Sequence, residues 1–119
     1  MFKLVILIEP QQDWLKFTQN WPKFLALAEK MPGLVKESIS PIHSRLHGDL
    51  FVSMIHELYF NTVDDLKEAM ASPVGVEAGQ MLQTITESKV SLFFADHLED
   101  NLENIRSYQI DEAGGPHGK

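Results

Sequence analysis

His56, Glu57 and Tyr59 place an imidazole, a carboxyl and a phenol at the end of an apolar stretch, Phe51 to Phe60. Side chains alternate across a strand, so His56 shares a face with Val52, Met54, Leu58 and Phe60. It is then an isolated titratable group on an apolar wall, able to accept a proton near neutral pH. The same position also suits a neutral core histidine hydrogen-bonded to a neighbouring strand. Glu57 and Tyr59 fall on the opposite face with Ser53, where they serve as supporting acid–base groups or pair structurally across an interface. The three residues expected to carry any catalysis are His56, Tyr59 and Glu57.

Other candidates carry less. His43 and His47 are four residues apart, but they lie between Pro41 and the Gly48-Asp49 turn signal rather than on a helix. The helical geometry that lets such a pair share a metal is missing, and no metal site is expected. His97, beside Asp96 at the end of an apolar stretch, reads as a surface residue. Trp14, Phe17, Trp21 and Phe24 follow a helical spacing, which suits core packing or the wall of an apolar pocket. The sequence contains no glycine-rich phosphate loop, Walker motif or serine nucleophile elbow, and no cofactor is expected.

The elements that would position these residues can be read along the chain. Phe2 to Glu9 is apolar on both alternations and stops at Pro10, as in a strand covered on both faces. Gln11 to Met31 carries a helical stripe interrupted by Pro22, which predicts a kink, or a break with Asn20 capping a second segment. Leu34 to His43 is a more polar strand. Pro41 lacks a backbone donor, which places this strand at an edge of the sheet. After the strand ending at Phe60, Thr62 caps one helix through Leu66, Ala69 and Met70. Ser72-Pro73 then opens another through Val74, Ala78, Met81, Leu82 and Ile85. Val90 to Ala95 is the last strand. The order β-α-β-β-α-β predicts an α+β, ferredoxin-like fold with a four-stranded antiparallel sheet. Residues 1–97 form one domain. Residues 98–119 form an acidic extension, with a short helix through Leu98, Leu102 and Ile105 and a flexible tail from Ala113 to Lys119.

Helices on one side leave the other face of such a sheet bare, yet the first, third and last strands are apolar on both faces. A second copy of the chain is the simplest cover, so a homodimer is expected. The net charge of −7 disfavours nucleic acid and anionic membrane surfaces as partners. The longest apolar run, Leu4 to Ile8, is far too short to span a bilayer. With zero cysteines there are no disulfides and no thiol nucleophiles. Together with an N-terminus unlike a signal peptide, this points to a cytoplasmic protein.

Five short motifs in order and spacing resemble the EthD family of the dimeric α/β-barrel group. They are Lys3-Leu-Val-Ile-Leu, the aromatic helix with Phe17 and Trp21, Met31-Pro-Gly-Leu34, Glu57-Leu-Tyr-Phe60 and Ala69-Met-Ala-Ser-Pro-Val-Gly75. The resemblance implies a homodimer whose two sheets close into a barrel, with a small-molecule pocket between sheet and helices. Here Trp14, Phe17, Trp21, Leu25, Met54 and Phe60 would line it. It further implies a role in oxidative catabolism of an apolar compound, as a cofactor-free oxidoreductase or an auxiliary protein. One departure bears on that role. The family's aromatic helix commonly carries a histidine four residues after its tryptophan, and this chain has Leu25 there. A non-catalytic carrier and a dimerisation module are therefore the alternatives.

Overall fold

The computed structural model describes residues 1–102. Strand β1 (Phe2–Ile8) is followed by helix α1 (Trp14–Ala28), strands β2 (Leu34–Pro41) and β3 (Met54–Phe60), helices α2 (Val63–Ala71) and α3 (Pro73–Thr86), and strand β4 (Val90–Asp96). The strands form one antiparallel sheet in the order β2-β3-β1-β4. This is the expected ferredoxin-like arrangement, with the second helical region divided in two and β2 at an edge.

Of the two outcomes expected at Pro22, the break does not occur: helix α1 runs from Trp14 to Ala28 through Pro22, and Asn20 is not a cap. Its start is fixed by Asp13, whose side chain accepts from the Lys16 amide. Thr18 and Pro22 are both exposed, so water can take the place of the amide that proline lacks. Asn20 instead donates its Nδ2 to the Lys16 carbonyl at 2.9 Å. Strand β3 also begins later than the apolar run suggests, at Met54, leaving Phe51 to Ser53 in the preceding loop.

The α2–α3 junction explains the Ser-Pro-Val-Gly motif. The Ser72 hydroxyl accepts from the Gly75 amide at 3.1 Å and donates to the Ala69 carbonyl at 2.6 Å, joining the end of α2 to the start of α3. A Cβ on Gly75 would lie 2.0 Å from the Ala69 carbonyl oxygen, so only glycine fits this corner.

All three helices pack on one face of the sheet. The core joins Leu4, Ile6 and Ile8 of β1 with Met54, Leu58 and Phe60 of β3. Against them lie Phe17 and Phe24 of α1, Leu66 of α2, and Ala78 and Leu82 of α3. The reverse face carries Val5, Leu7 and Ile55, half-buried, and Phe93, which is 52% exposed. Leu98 and Leu102 are exposed, while Ile105 and the segment from Ala113 to Lys119 lie outside the described residues. Among the described residues no helix is long and apolar enough to cross a membrane.

Replacing Gly75 by Ala is expected to destabilise the protein by about 1–3 kcal/mol through overpacking against backbone. A Cβ added at Gly79 would meet no atom within 4 Å, so Gly79→Ala should stabilise α3 by about 0.5–1 kcal/mol. Urea denaturation of both variants measures the contrast, and equal effects would contradict this account of the corner.

Candidate functional site

Strand β3 delivers His56 to the helix side of the sheet, fully buried between Met54 and Leu58. Its cross-strand neighbours are Ile6 on β1 and Ile39 on β2. From above, α1 covers it with Trp21 and Phe24, whose rings meet the imidazole edge-on at 5.4 and 6.1 Å. These two rings end a ladder along α1, in which Trp14, Phe17, Trp21 and Phe24 stand with successive centroids 4.9, 5.2 and 5.0 Å apart. The helical spacing of the aromatic residues thus becomes a continuous apolar wall leading to one imidazole.

The polar neighbour of His56 is Glu37, which sequence reasoning missed. His56 Nε2 and Glu37 Oε1 are 3.1 Å apart. Their geometry nonetheless completes no hydrogen bond, and among the described residues Glu37 Oε1 and both His56 ring nitrogens are buried without a partner. Glu37 stands within reach of Nε2, which leaves Nδ1 as the ring nitrogen with no group of the described residues to meet it. Glu37 was hidden by a local irregularity. From Leu34, simple alternation would send residue 37 to the reverse face. A register shift between Leu34 and Lys36 makes Val35 an extra residue and turns Glu37 and Ile39 inward. A one-residue slip exchanges the two faces of a strand, and bulges are where such slips occur. The bulge has no glycine or proline to mark it.

Burial drives both groups toward neutrality. It lowers the His56 pKa to about 4, against the opposing charges of Glu29 and Glu57. It raises the Glu37 pKa to about 7, assisted by a hydrogen bond with Glu29 and by repulsion from it. Glu29 is exposed at the end of α1. The group that changes charge near neutrality is therefore Glu37, whereas His56 is a neutral imidazole there.

Glu57 and Tyr59 lie on the reverse face and do not meet His56. Glu57 takes Lys3 Nζ at 2.7 Å on one oxygen. Its other oxygen accepts from Tyr59 Oη at 3.1 Å and Ser38 Oγ at 3.2 Å. Burial pushes Glu57 upward, but the hydrogen bonds and charge of Lys3, with Tyr59 and Ser38, leave its carboxyl below the ordinary value. Within the protomer these polar groups pair with one another. His97 is not a bare surface residue: its side chain is 19% exposed and its ring meets Tyr59 edge-on at 5.0 Å.

Of the residues expected to line a pocket, Trp21, Leu25, Met54 and Phe60 gather in the helix–sheet layer around the core. Phe17 also borders a surface groove of about 310 Å³ between α1 and α3. Trp14 reaches a second cavity of about 460 Å³ beside Ile42, Arg45 and Phe51. Neither cavity is lined by His56. Beside it at the β2 edge, Ile39 is 45% exposed and the Glu37 side chain 26%.

The fold has solved counterparts. An ethyl tert-butyl ether D (EthD) family protein from Bacillus halodurans is 22% identical, with a TM-score of 0.77 over 82% of this chain and 99% of that one. A dimeric ferredoxin-like protein of unknown function from Jannaschia sp. CCS1 is 15% identical, with a TM-score of 0.62 over 81% and 98% of the two chains. SnoaB, a cofactor-independent oxygenase from Streptomyces nogalater solved as a mutant, is 14% identical, with a TM-score of 0.62 over 85% and 96%. This chain is built like an EthD family protein. No protein-family model and no curated protein sequence matches it. At these identities the likeness establishes the ferredoxin-like fold, and function has to be argued from the site.

The two buried groups oppose each other in the pH dependence of stability. His56 is held below its ordinary value of 6.5, so its contribution is present above that pH and lost as pH falls toward 4. Glu37 is raised above 4.5, so its contribution is present below that pH and lost as pH rises through 7. Between about 4.5 and 6.5 the slopes largely cancel in the wild type. Glu37→Gln should uncover the His56 slope, with stability rising with pH across that window. Chemical denaturation at a series of pH values measures it, and parallel profiles for the two proteins would refute the opposition.

Proposed function

We propose that the chain is a small-molecule-binding domain that holds an uncharged, largely apolar organic molecule against His56, and that it works as a homodimer. The observation that carries the binding site is the unpartnered Nδ1 of a fully buried imidazole, backed by the Trp21 and Phe24 rings. Leaving a buried polar group unmet costs about 1–3 kcal/mol, and a ligand bearing one hydroxyl would recover it. Access runs from the β2 edge past Ile39 and Glu37. The apolar wall supplies most of the contact, as in ligand sites generally.

The chemistry such a site supports is proton transfer to and from the bound molecule, with His56 as the touching group. SnoaB, which shares the fold, is described as a cofactor-independent oxygenase, and cofactor-free oxidation begun by removing a proton is the reaction class we favour. Glu57 and Tyr59, on the reverse face, would contribute through the sheet rather than by contact. A carrier without turnover is the second reading, favoured by Leu25 in place of the family's helix histidine.

Dimerisation rests on the reverse face, where Val5, Leu7, Ile55 and Phe93 surround a polar network already satisfied within the protomer. Three proteins of the same fold are themselves described as dimeric, from Jannaschia, Bacteroides fragilis and Thermobifida fusca.

Binding of 1-naphthol, an apolar ring system with one hydroxyl, should be saturable by fluorescence titration. His56→Phe should weaken it about tenfold or more, the worth of a buried hydrogen bond, while changing stability by no more than about 1 kcal/mol. Equal binding by both proteins would remove His56 from the site. Separately, Ile55→Glu should yield a monomer or insoluble protein by light scattering, because it would bury an unpaired charge; a stable dimer would show that another face is used.

A further inference from the structure

We propose that Glu37 sets the tautomer of His56 and is the final acceptor of a proton that His56 takes from a bound molecule. The transfer to a ligand rests on the binding reading above, whereas the coupling of the two side chains rests on their geometry alone. Glu37 Oε1 and His56 Nε2 are 3.1 Å apart, both are buried, and both lack a hydrogen-bond partner among the described residues. Their present angles complete no hydrogen bond, but at this distance a small rotation of either side chain would let one proton between them satisfy both atoms. The exposed Glu29, the other group near Glu37, has water available to it instead.

The position of that proton decides what the far side of the ring can do. With Glu37 ionised, Nε2 carries the proton and donates it to the carboxylate, leaving Nδ1 as a bare acceptor. With Glu37 protonated, its hydroxyl donates to Nε2, and Nδ1 must carry the ring proton and act as donor. A neutral histidine has one of each, so the charge on Glu37 selects between them. When Nδ1 takes a proton from a ligand O–H, the Nε2 proton passes to Glu37. The ligand leaves as an anion, the imidazole is again neutral, and the carboxylate has become a carboxylic acid. No imidazolium has to persist in the apolar layer, where burial holds the His56 pKa near 4. Glu37, with 26% of its side chain exposed, then returns the proton to solvent beside Glu29.

The surroundings leave few other groups to interfere. Ile6 faces the ring from β1, Ile39 from β2, and Trp21 and Phe24 from α1. The described core residues of α2 and α3 are Leu66, Ala69, Ala78 and Leu82. The charges that act on the pair are Glu29 at the end of α1 and Glu57 on the far side of β3. Glu37 is thus a positioning residue, acting through His56 rather than on the ligand.

The test needs no ligand, so it can fail while naphthol binding succeeds, and the reverse. Nitrogen-15 NMR of protein labelled at histidine, with His56 assigned by its loss in His56→Phe, reads the tautomer from about pH 5 to about pH 9. The expected result is an exchange of the two ring-nitrogen signals, Nδ1–H below and Nε2–H above the Glu37 midpoint near 7. Glu37→Gln should abolish the step. Glu29→Gln, at an exposed position, should move it to lower pH, and provides the test if Glu37→Gln does not fold. A single tautomer throughout, a step that survives Glu37→Gln or ignores Glu29→Gln, or ordinary protonation of both nitrogens near pH 6.5 would overturn the proposal.

Discussion

Burying an imidazole between an apolar sheet and an apolar helix removes two polar nitrogens from water, and the rest of the helix–sheet layer is arranged around that constraint. Charged histidine would be too costly there, so the ring is neutral. Trp21 and Phe24 meet it edge-on, Ile6 and Ile39 flank it, and the Glu37 carboxyl stands 3.1 Å from Nε2. Burial of this kind is ordinarily offset by hydrogen bonds within the protein. Here Glu37 stands beside Nε2 while Nδ1 has no partner among the described residues, and unsatisfied buried polar groups in native proteins concentrate where chemistry or binding occurs.

The period of a strand separates two tasks on β3. Even-numbered positions from Met54 to Phe60 face the helices and hold His56, while Ile55, Glu57 and Tyr59 face the other way. The two glutamates nearest this strand show how completely environment sets their state. Glu37 has burial and another carboxyl to contend with and is held up near 7. Glu57, also subject to burial, has a lysine, a phenol and a hydroxyl, and sits below its ordinary value. One is positioned to exchange protons near neutrality, and the other holds a fixed ion pair.

Much of this was legible in the sequence. Thr62 and Ser72 cap the helices they should, Pro41 ends an edge strand, and His56 shares its face with Met54, Leu58 and Phe60. These are local signals or simple periodicities, which the fold has no reason to override. The failures have non-local causes. Helix α1 tolerates Pro22 because it faces solvent and the flanking turns pack on the sheet. The partners of Glu57 come from Lys3 and Ser38, remote in the chain and set by strand order. Glu37 was invisible as a site residue because the bulge at Val35, which inverts the face of β2, carries no composition signal.

The central claim is that His56 keeps a hydrogen-bonding nitrogen for something other than its own chain. A high-resolution crystal structure at neutral pH tests it most directly, through the density beside His56 Nδ1. The expected result is an ordered water or small molecule within hydrogen-bonding distance of that nitrogen. Finding both ring nitrogens bonded to groups of the protein itself, with no such density, would contradict it.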